Sequence, residues 1–182
     1  MTYFTAPGER SPQEEIARMI RVNHAGEYGA LRIYAGQLKA LEGSPSAETI
    51  AHMKEQEEAH LAYFEDAVRA RRVRPTALYP LWHVLGYALG YATAALGEKS
   101  AMACTVAVED AIDAHYAEQE TYLASMPQEK DLQEAIARFR AEEQEHRDTG
   151  LAFGAKEAPA YGPLYHAIKG ATRAAIWLSK RI

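Results

Sequence analysis

The amino-acid sequence predicts an all-α chain: a four-helix bundle built from a duplicated helix pair, with additional apolar helices. Three observations carry this. Apolar residues recur at three- and four-residue steps in segment after segment, and nothing alternates as a half-buried strand would. Helix start and stop signals stand between those segments. One polar pattern, a lone glutamate on one helix and Glu-x-x-His on the next, occurs twice.

Ser11-Pro12-Gln13-Glu14 reads as an N-cap, a first-turn proline and a reciprocal carboxylate, so the first helix begins near residue 11. Its apolar stripe runs Ile16, Ile20, Leu31, Tyr34, Leu38, Leu41, and Gly43 stops it. Ser44-Pro45 opens a second helix that continues to the arginines before Pro75. Segment 77–97 then contains no charged residue. A fourth helix starts around Glu98 to Ser100 and reaches the neighbourhood of Ser125. Pro127 starts a fifth, with Ile136, Phe139 and Phe153 on one face. After the loop Ala158-Pro159-Ala160-Tyr161-Gly162, a sixth runs from Pro163 to the end.

The 182 residues suit one domain with a buried core, residues 1–10 forming a flexible N-terminus. A net charge of −5 argues against a general nucleic-acid binder. Cys104 is the only cysteine, so no intramolecular disulfide is expected and the residue reads as a small buried apolar one. The N-terminal residues lack the basic start and apolar core of a secretory signal.

The repeated polar pattern carries the chemistry. Glu27 precedes Glu57-Glu58-Ala59-His60 by 30 positions, and Glu109 precedes Glu143-Gln144-Glu145-His146 by 34. Residues three apart on a helix share a side, so Glu57 with His60, and Glu143 with His146, can grip one site. Oxygen and nitrogen donors of this kind suit iron or manganese. Four helices offering Glu, Glu-x-x-His, Glu and Glu-x-x-His form the ferritin-like di-iron or di-manganese carboxylate arrangement.

Their neighbours place these residues inside. The stripes run Ile16, Ile20, Asn23, Glu27, Leu31, Tyr34; then Met53, Glu57, His60, Phe64, Val68; then Met102, Val106, Glu109, Ile112, Tyr116, Leu123; then Ile136, Phe139, Glu143, His146, Gly150, Phe153. Carboxylates on such stripes are costly unless paired, and two divalent ions would offset four of them. Glu55, Glu58, Glu142 and Glu145 read as solvated charges. Glu142 also stands one turn before His146, but Gln56 occupies its place in the first half, so the repeat favours Glu143.

Several segments resemble the demethoxyubiquinone hydroxylase family (Coq7 type). They are Arg21-Val22-Asn23-His24-Ala25-Gly26-Glu27-Tyr28-Gly29-Ala30, Arg72-Val73-Arg74-Pro75-Thr76, Pro80-Leu81-Trp82, Ala101-Met102-Ala103-Cys104-Thr105-Val106-Ala107-Val108-Glu109 and Glu142-Glu143-Gln144-Glu145-His146. The resemblance implies a di-iron monooxygenase of ubiquinone biosynthesis that hydroxylates the ring of a polyprenyl methoxy-methyl-benzoquinol with O2. It implies two iron ions, bridged by Glu57 and Glu143 and completed by Glu27 with His60 and by Glu109 with His146. It also implies NADH as ultimate reductant, although no Gly-x-Gly-x-x-Gly fingerprint is present. A homo-oligomer or an accessory lipid-presenting protein is compatible with it. Asn23 departs from the aspartate expected in many members, so a contact orienting a ligand histidine would be weaker or rearranged.

Segment 77–97 is long enough to span a bilayer, but Pro80, His83, three glycines and three tyrosines favour an element dipping into one leaflet. Arg69, Arg71, Arg72 and Arg74 upstream, and Lys169, Arg173, Lys180 and Arg181 in the last helix, suit anionic headgroups. A peripheral protein on the cytoplasmic face of a bacterial inner membrane, or the matrix face of the mitochondrial one, is expected. A buried crossover helix is the alternative. His115 and Tyr116 are candidate catalytic relay residues, and His24 a candidate support behind the ligands; His52, His83 and His166 read as ordinary polar residues. Ala25, Gly26, Gly29 and Ala30 would let a helix or a ring approach closely. The residues themselves also admit another di-iron or di-manganese oxidase or peroxidase, or a non-enzymatic lipid-binding bundle.

Overall fold

The computed structural model describes residues 10–182, and every regular element among them is helical. The expected flexible N-terminus lies, Arg10 apart, outside the described residues. Helix α1 (Pro12–Ala40) opens with the anticipated reciprocal cap: the Ser11 hydroxyl accepts the Glu14 N–H, and the Glu14 carboxylate accepts the Ser11 N–H at 2.8 Å.

Helix α2 (Ala47–Ala70) begins later than Ser44-Pro45 suggests. Gly43 takes φ +79°, the Ser44 N–H turns back to Leu41, and Glu98 accepts the Ser46 N–H at 3.0 Å. These residues are spent on the turn and on a tie to a distant helix. At its other end Arg72 adopts a left-handed φ of +53° and the Val73 N–H reaches Val68 O at 3.0 Å, closing the helix.

Helix α3 (Tyr79–Ala95) crosses to α4 (Glu98–Leu123). Pro127 starts a single 3-10 turn, so α5 (Lys130–Ala152) begins three residues later than predicted. Phe153, placed by periodicity on the buried face, is instead the C-cap and 40% exposed. Gly150 makes the last close contact, because a Cβ there would lie 2.9 Å from Val106 Cγ2 on α4. Helix α6 (Tyr161–Ser179) starts ahead of Pro163, which sits in its first turn.

Two apolar clusters fill the bundle of α1, α2, α4 and α5. One joins Ile16, Ile20, Phe64, Ile112, Leu132, Ile136 and Phe139. The other joins Tyr34, Leu41, Ile50, Met53, Met102 and Val106. The polar pattern of the sequence lies between them along each helix. Cys104 is buried as expected, its thiol pushed up to about 12 by burial.

Helix α3 is not the buried crossover that was the alternative. It packs on α1 by one side and leaves Val84 61% and Leu96 68% exposed on the other. No helix of the described residues is long and apolar enough to cross a membrane. The α1–α3 contact is backbone to backbone: a Cβ at Gly90 would fall 1.9 Å from Ile33 O, and one at Gly36 2.2 Å from Tyr87 O. Gly90→Ala should therefore cost about 1–3 kcal/mol in thermal or denaturant unfolding, as overpacking does. Gly170→Ala, on exposed α6 with nothing within 4 Å, should be neutral or stabilise by up to ~1 kcal/mol.

Candidate metal centre

All six residues of the duplicated pattern are buried and converge. They form two groups that share Glu57 and Glu143: Glu27, Glu57, His60 and Glu143, and Glu57, Glu109, Glu143 and His146, with one donor atom of each residue within 4.8 Å of the others. The histidines turn Nδ1 inward. His60 Nδ1 lies 3.4 Å from Glu27, 3.6 Å from Glu57 Oε2 and 3.4 Å from Glu143 Oε1. His146 Nδ1 lies 3.3 Å from Glu57 Oε1 and 3.4 Å from Glu143 Oε2. Each of these two glutamates thus offers one oxygen to each histidine, as a bridging carboxylate would.

Glu27 Oε2, Glu109 Oε2, both oxygens of Glu57 and Glu143, and Nδ1 of both histidines have no hydrogen-bond partner. Buried polar atoms are seldom left so, and a cluster of them is an arrangement waiting for cations. The donor set fits two hard or borderline divalent ions. The protein's own electrostatics make the same demand. Burial raises the Glu109 carboxyl well above the ordinary range, and the neighbouring Glu143 and Glu57 add to this. Burial pushes His146 down, but Glu143 and Glu57 overcome it and carry the imidazole up to about 11; His60 rises likewise against burial through Glu143, Glu27 and Glu57. Without ions, protons supply the positive charge.

Around the cluster sits a ring of partners only partly foreseen. Tyr116 donates its hydroxyl to Glu27, and Tyr34 donates to Glu109 at 2.9 Å. His60 Nε2 donates to Glu142 at 2.5 Å, so Glu142 is not the solvated charge expected of it; its side chain is 29% exposed and turned onto the other half's histidine. His146 Nε2 donates to Gln56 at 3.0 Å. The register of the repeat could have revealed both, since Gln56 and Glu142 each precede the glutamate of Glu-x-x-His. Tyr34 was legible in the same way, standing seven positions after Glu27 as Tyr116 does after Glu109.

Asn23 touches neither histidine of the cluster. It exchanges two amide hydrogen bonds with Gln119, at 2.8 and 2.7 Å, and Gln119 donates to His115 at 2.8 Å. His115 and Tyr116 are adjacent rings stacked at 6.5 Å, so only Tyr116 reaches the cluster directly. His24 stacks on Tyr79 of α3 instead of supporting a cluster histidine, and His83 bonds Tyr28 at 2.5 Å.

An apolar cavity of about 400 Å³ lies among α1, α3, α4 and α6, lined by Gly26, Gly29, Leu85, Leu89, Val108 and Ile176 among others, the first and fifth of these next in sequence to Glu27 and Glu109. A Cβ at Gly26 or Gly29 would meet nothing within 4 Å, so these glycines border open space and are not required by helix packing. Trp82 of α3 donates to Ser179 of α6 at 3.0 Å across the cavity wall.

Residues 14–179 match the family of the ubiquinone biosynthesis protein COQ7. The chain belongs to this family. A Rhodospirillum rubrum protein named 3-demethoxyubiquinol 3-hydroxylase is 52% identical over 97% of this chain and 82% of its own length. A mouse protein named NADPH-dependent 3-demethoxyubiquinone 3-hydroxylase, mitochondrial, is 51% identical over 91% of this chain and 77% of its own. A yeast protein named 5-demethoxyubiquinone hydroxylase, mitochondrial, is 39% identical over 91% and 77%.

The site's surroundings carry a pH signature. Burial, with Lys180 and Arg18 adding, holds His115 down from 6.5 to about 3. Between those values the unfolded chain binds a proton there and the folded chain does not, so stability falls as pH drops through that window. His115→Gln should flatten this part of the melting temperature against pH curve, leaving the curve above pH 7 parallel to the wild type.

Proposed function

We propose that this chain is a di-iron 3-demethoxyubiquinol 3-hydroxylase, placing one oxygen atom of O2 on the ring of a polyprenyl methoxy-methyl-benzoquinol during ubiquinone biosynthesis. The convergence of unpartnered carboxylate oxygens and imidazole nitrogens at the centre of a ferritin-like bundle carries the metal part of this reading. The names of the bacterial and mitochondrial relatives support the substrate. In this reading Glu27, Glu57, His60, Glu109, Glu143 and His146 would hold two iron ions, with Glu57 and Glu143 common to both donor groups. Iron bound there would supply the reductive activation of O2 that an all-protein site cannot.

The chain's own residues do the rest. The two apolar clusters keep bulk water from the centre. The apolar cavity lined by Gly26 and Gly29 takes the quinol. Tyr116 holds its hydroxyl proton on Glu27, and with His115 forms the proposed relay for protons and electrons. A reduced nicotinamide is the ultimate electron source, NADH as the resemblance implies or NADPH as the mouse relative's name specifies.

The polyprenyl tail leaves between α3 and α6 toward a bilayer. Leu81, Val84, Leu85 and Tyr91 of α3, Leu96 at its C-cap and Trp177 of α6 are exposed large apolar residues. Arg72, Arg74, Arg173 and Arg181 are exposed as well, with no acidic partner within 4 Å among the described residues. That combination supports peripheral contact with an anionic membrane surface, bacterial or mitochondrial. A soluble peroxidase or ferritin-like oxidase has little use for either the cavity or these exposed residues.

Chain loaded anaerobically should hold about two irons and, given a demethoxyubiquinol, a reductant and ¹⁸O2, release product heavier by one labelled oxygen. Glu57→Ala with Glu143→Ala should lose the metal, and Gly26→Leu should keep it while losing most turnover. Peroxide consumption without labelled quinol would sink the hydroxylase reading. In flotation with anionic vesicles at low salt, the wild type should rise and Val84→Glu with Leu96→Glu should stay behind; equal flotation of both would remove α3 as the docking face.

A further inference from the structure

The duplication extends outward to the side chains that hydrogen-bond the six central residues, and among these it breaks at one position. Tyr34 and Tyr116 hold matching places and make matching bonds, each to the lone glutamate of the opposite half. Gln56 and Glu142 also hold matching places, each against Nε2 of the opposite half's histidine, yet one is a neutral amide and the other a carboxylate. Nothing else neutralises that carboxylate: within 4 Å, and among the described residues, its ion-pairing partner is His60 alone.

We propose that Glu142 makes the two halves of the metal centre unequal, so that the position formed by Glu27, His60 and the shared glutamates fills first and holds its ion more tightly. This rests on the di-metal reading above. Both histidines face the cluster through Nδ1 and donate outward through Nε2, since neither a carboxylate nor an amide oxygen can donate in return. A carboxylate behind the ring draws the Nε2 proton, makes Nδ1 a stronger donor and locks the ring's orientation. The amide behind His146 does this only weakly. Glu57 and Glu143 serve both positions, and the two tyrosines bond the terminal glutamates alike. Among the hydrogen-bonded partners the difference is left to Glu142, which acts on the metal through His60 as a positioning residue.

Metal-free full-length chain crystallised with one molar equivalent of Mn(II) tests this, because anomalous scattering gives the occupancy of each position separately. The wild type should place the ion on the His60 side by about tenfold or more, the range that losing such an outer partner typically moves affinity. Glu142→Gln should bring the two occupancies within about twofold of each other. The exchange Gln56→Glu with Glu142→Gln should move the preference to the His146 side. Equal occupancies in the wild type, or an unchanged preference in Glu142→Gln, would overturn the inequality while leaving the two-metal centre intact. No manganese at either position would overturn both. Should the exchanged variant not fold, the wild type and Glu142→Gln suffice, each read by occupancy and not by turnover.

Discussion

Burying four carboxylates and two imidazoles among apolar side chains is the constraint on which the rest of this molecule depends. Each ionised group taken from water without a partner costs several kcal/mol, and several sharing one site repel one another as well. The fold cannot hold Glu27, Glu57, Glu109 and Glu143 together unless positive charge is provided among them. In the metal-free chain the raised affinity of His60, His146 and the Glu109 carboxyl for protons offsets the charge. Two divalent ions would do so better, since they would also engage the unpartnered oxygens.

That demand explains the architecture around the site. Four long helices are needed because each supplies only one or two donors at the right height, and the apolar clusters above and below hold them in register. The added helices α3 and α6 wall the apolar cavity, which in the proposed function takes the substrate. Glycines on α1 do two different jobs within three turns: Gly36 admits the backbone of α3, while Gly26 and Gly29 leave room for something that is not protein. A chemistry that needs a dry, charged centre and a greasy substrate is served by one helix facing both.

Much of this was legible in the residues. The Ser11–Glu14 cap, the helix order and the convergence of the six central side chains follow from local chemistry and from repetition. Helix starts were less so, because Ser46 and Pro127 are engaged by a distant carboxylate and a 3-10 turn that no local pattern announces. Phe153 followed the periodicity but falls where the helix ends. Glu142 was misread because its partner, His60, lies 82 residues away on another helix, and one helix's periodicity cannot see across the bundle. Asn23 shows the same limit: its exchange with Gln119 is a tertiary fact. The repeat could have found Tyr34, Gln56 and Glu142 had it been followed beyond the metal-binding types.

The central physical claim is that cations stabilise this core, and unfolding of the metal-free chain under anaerobic titration with Fe(II) or Mn(II) tests it most directly. Ligand binding to the folded state alone raises the midpoint by mass action. The melting temperature should climb with added metal and show its main break at two equivalents per chain, and the climb should vanish when Glu57 and Glu143 are both glutamine. A melting temperature indifferent to metal, or an equal rise in that double variant, would contradict it.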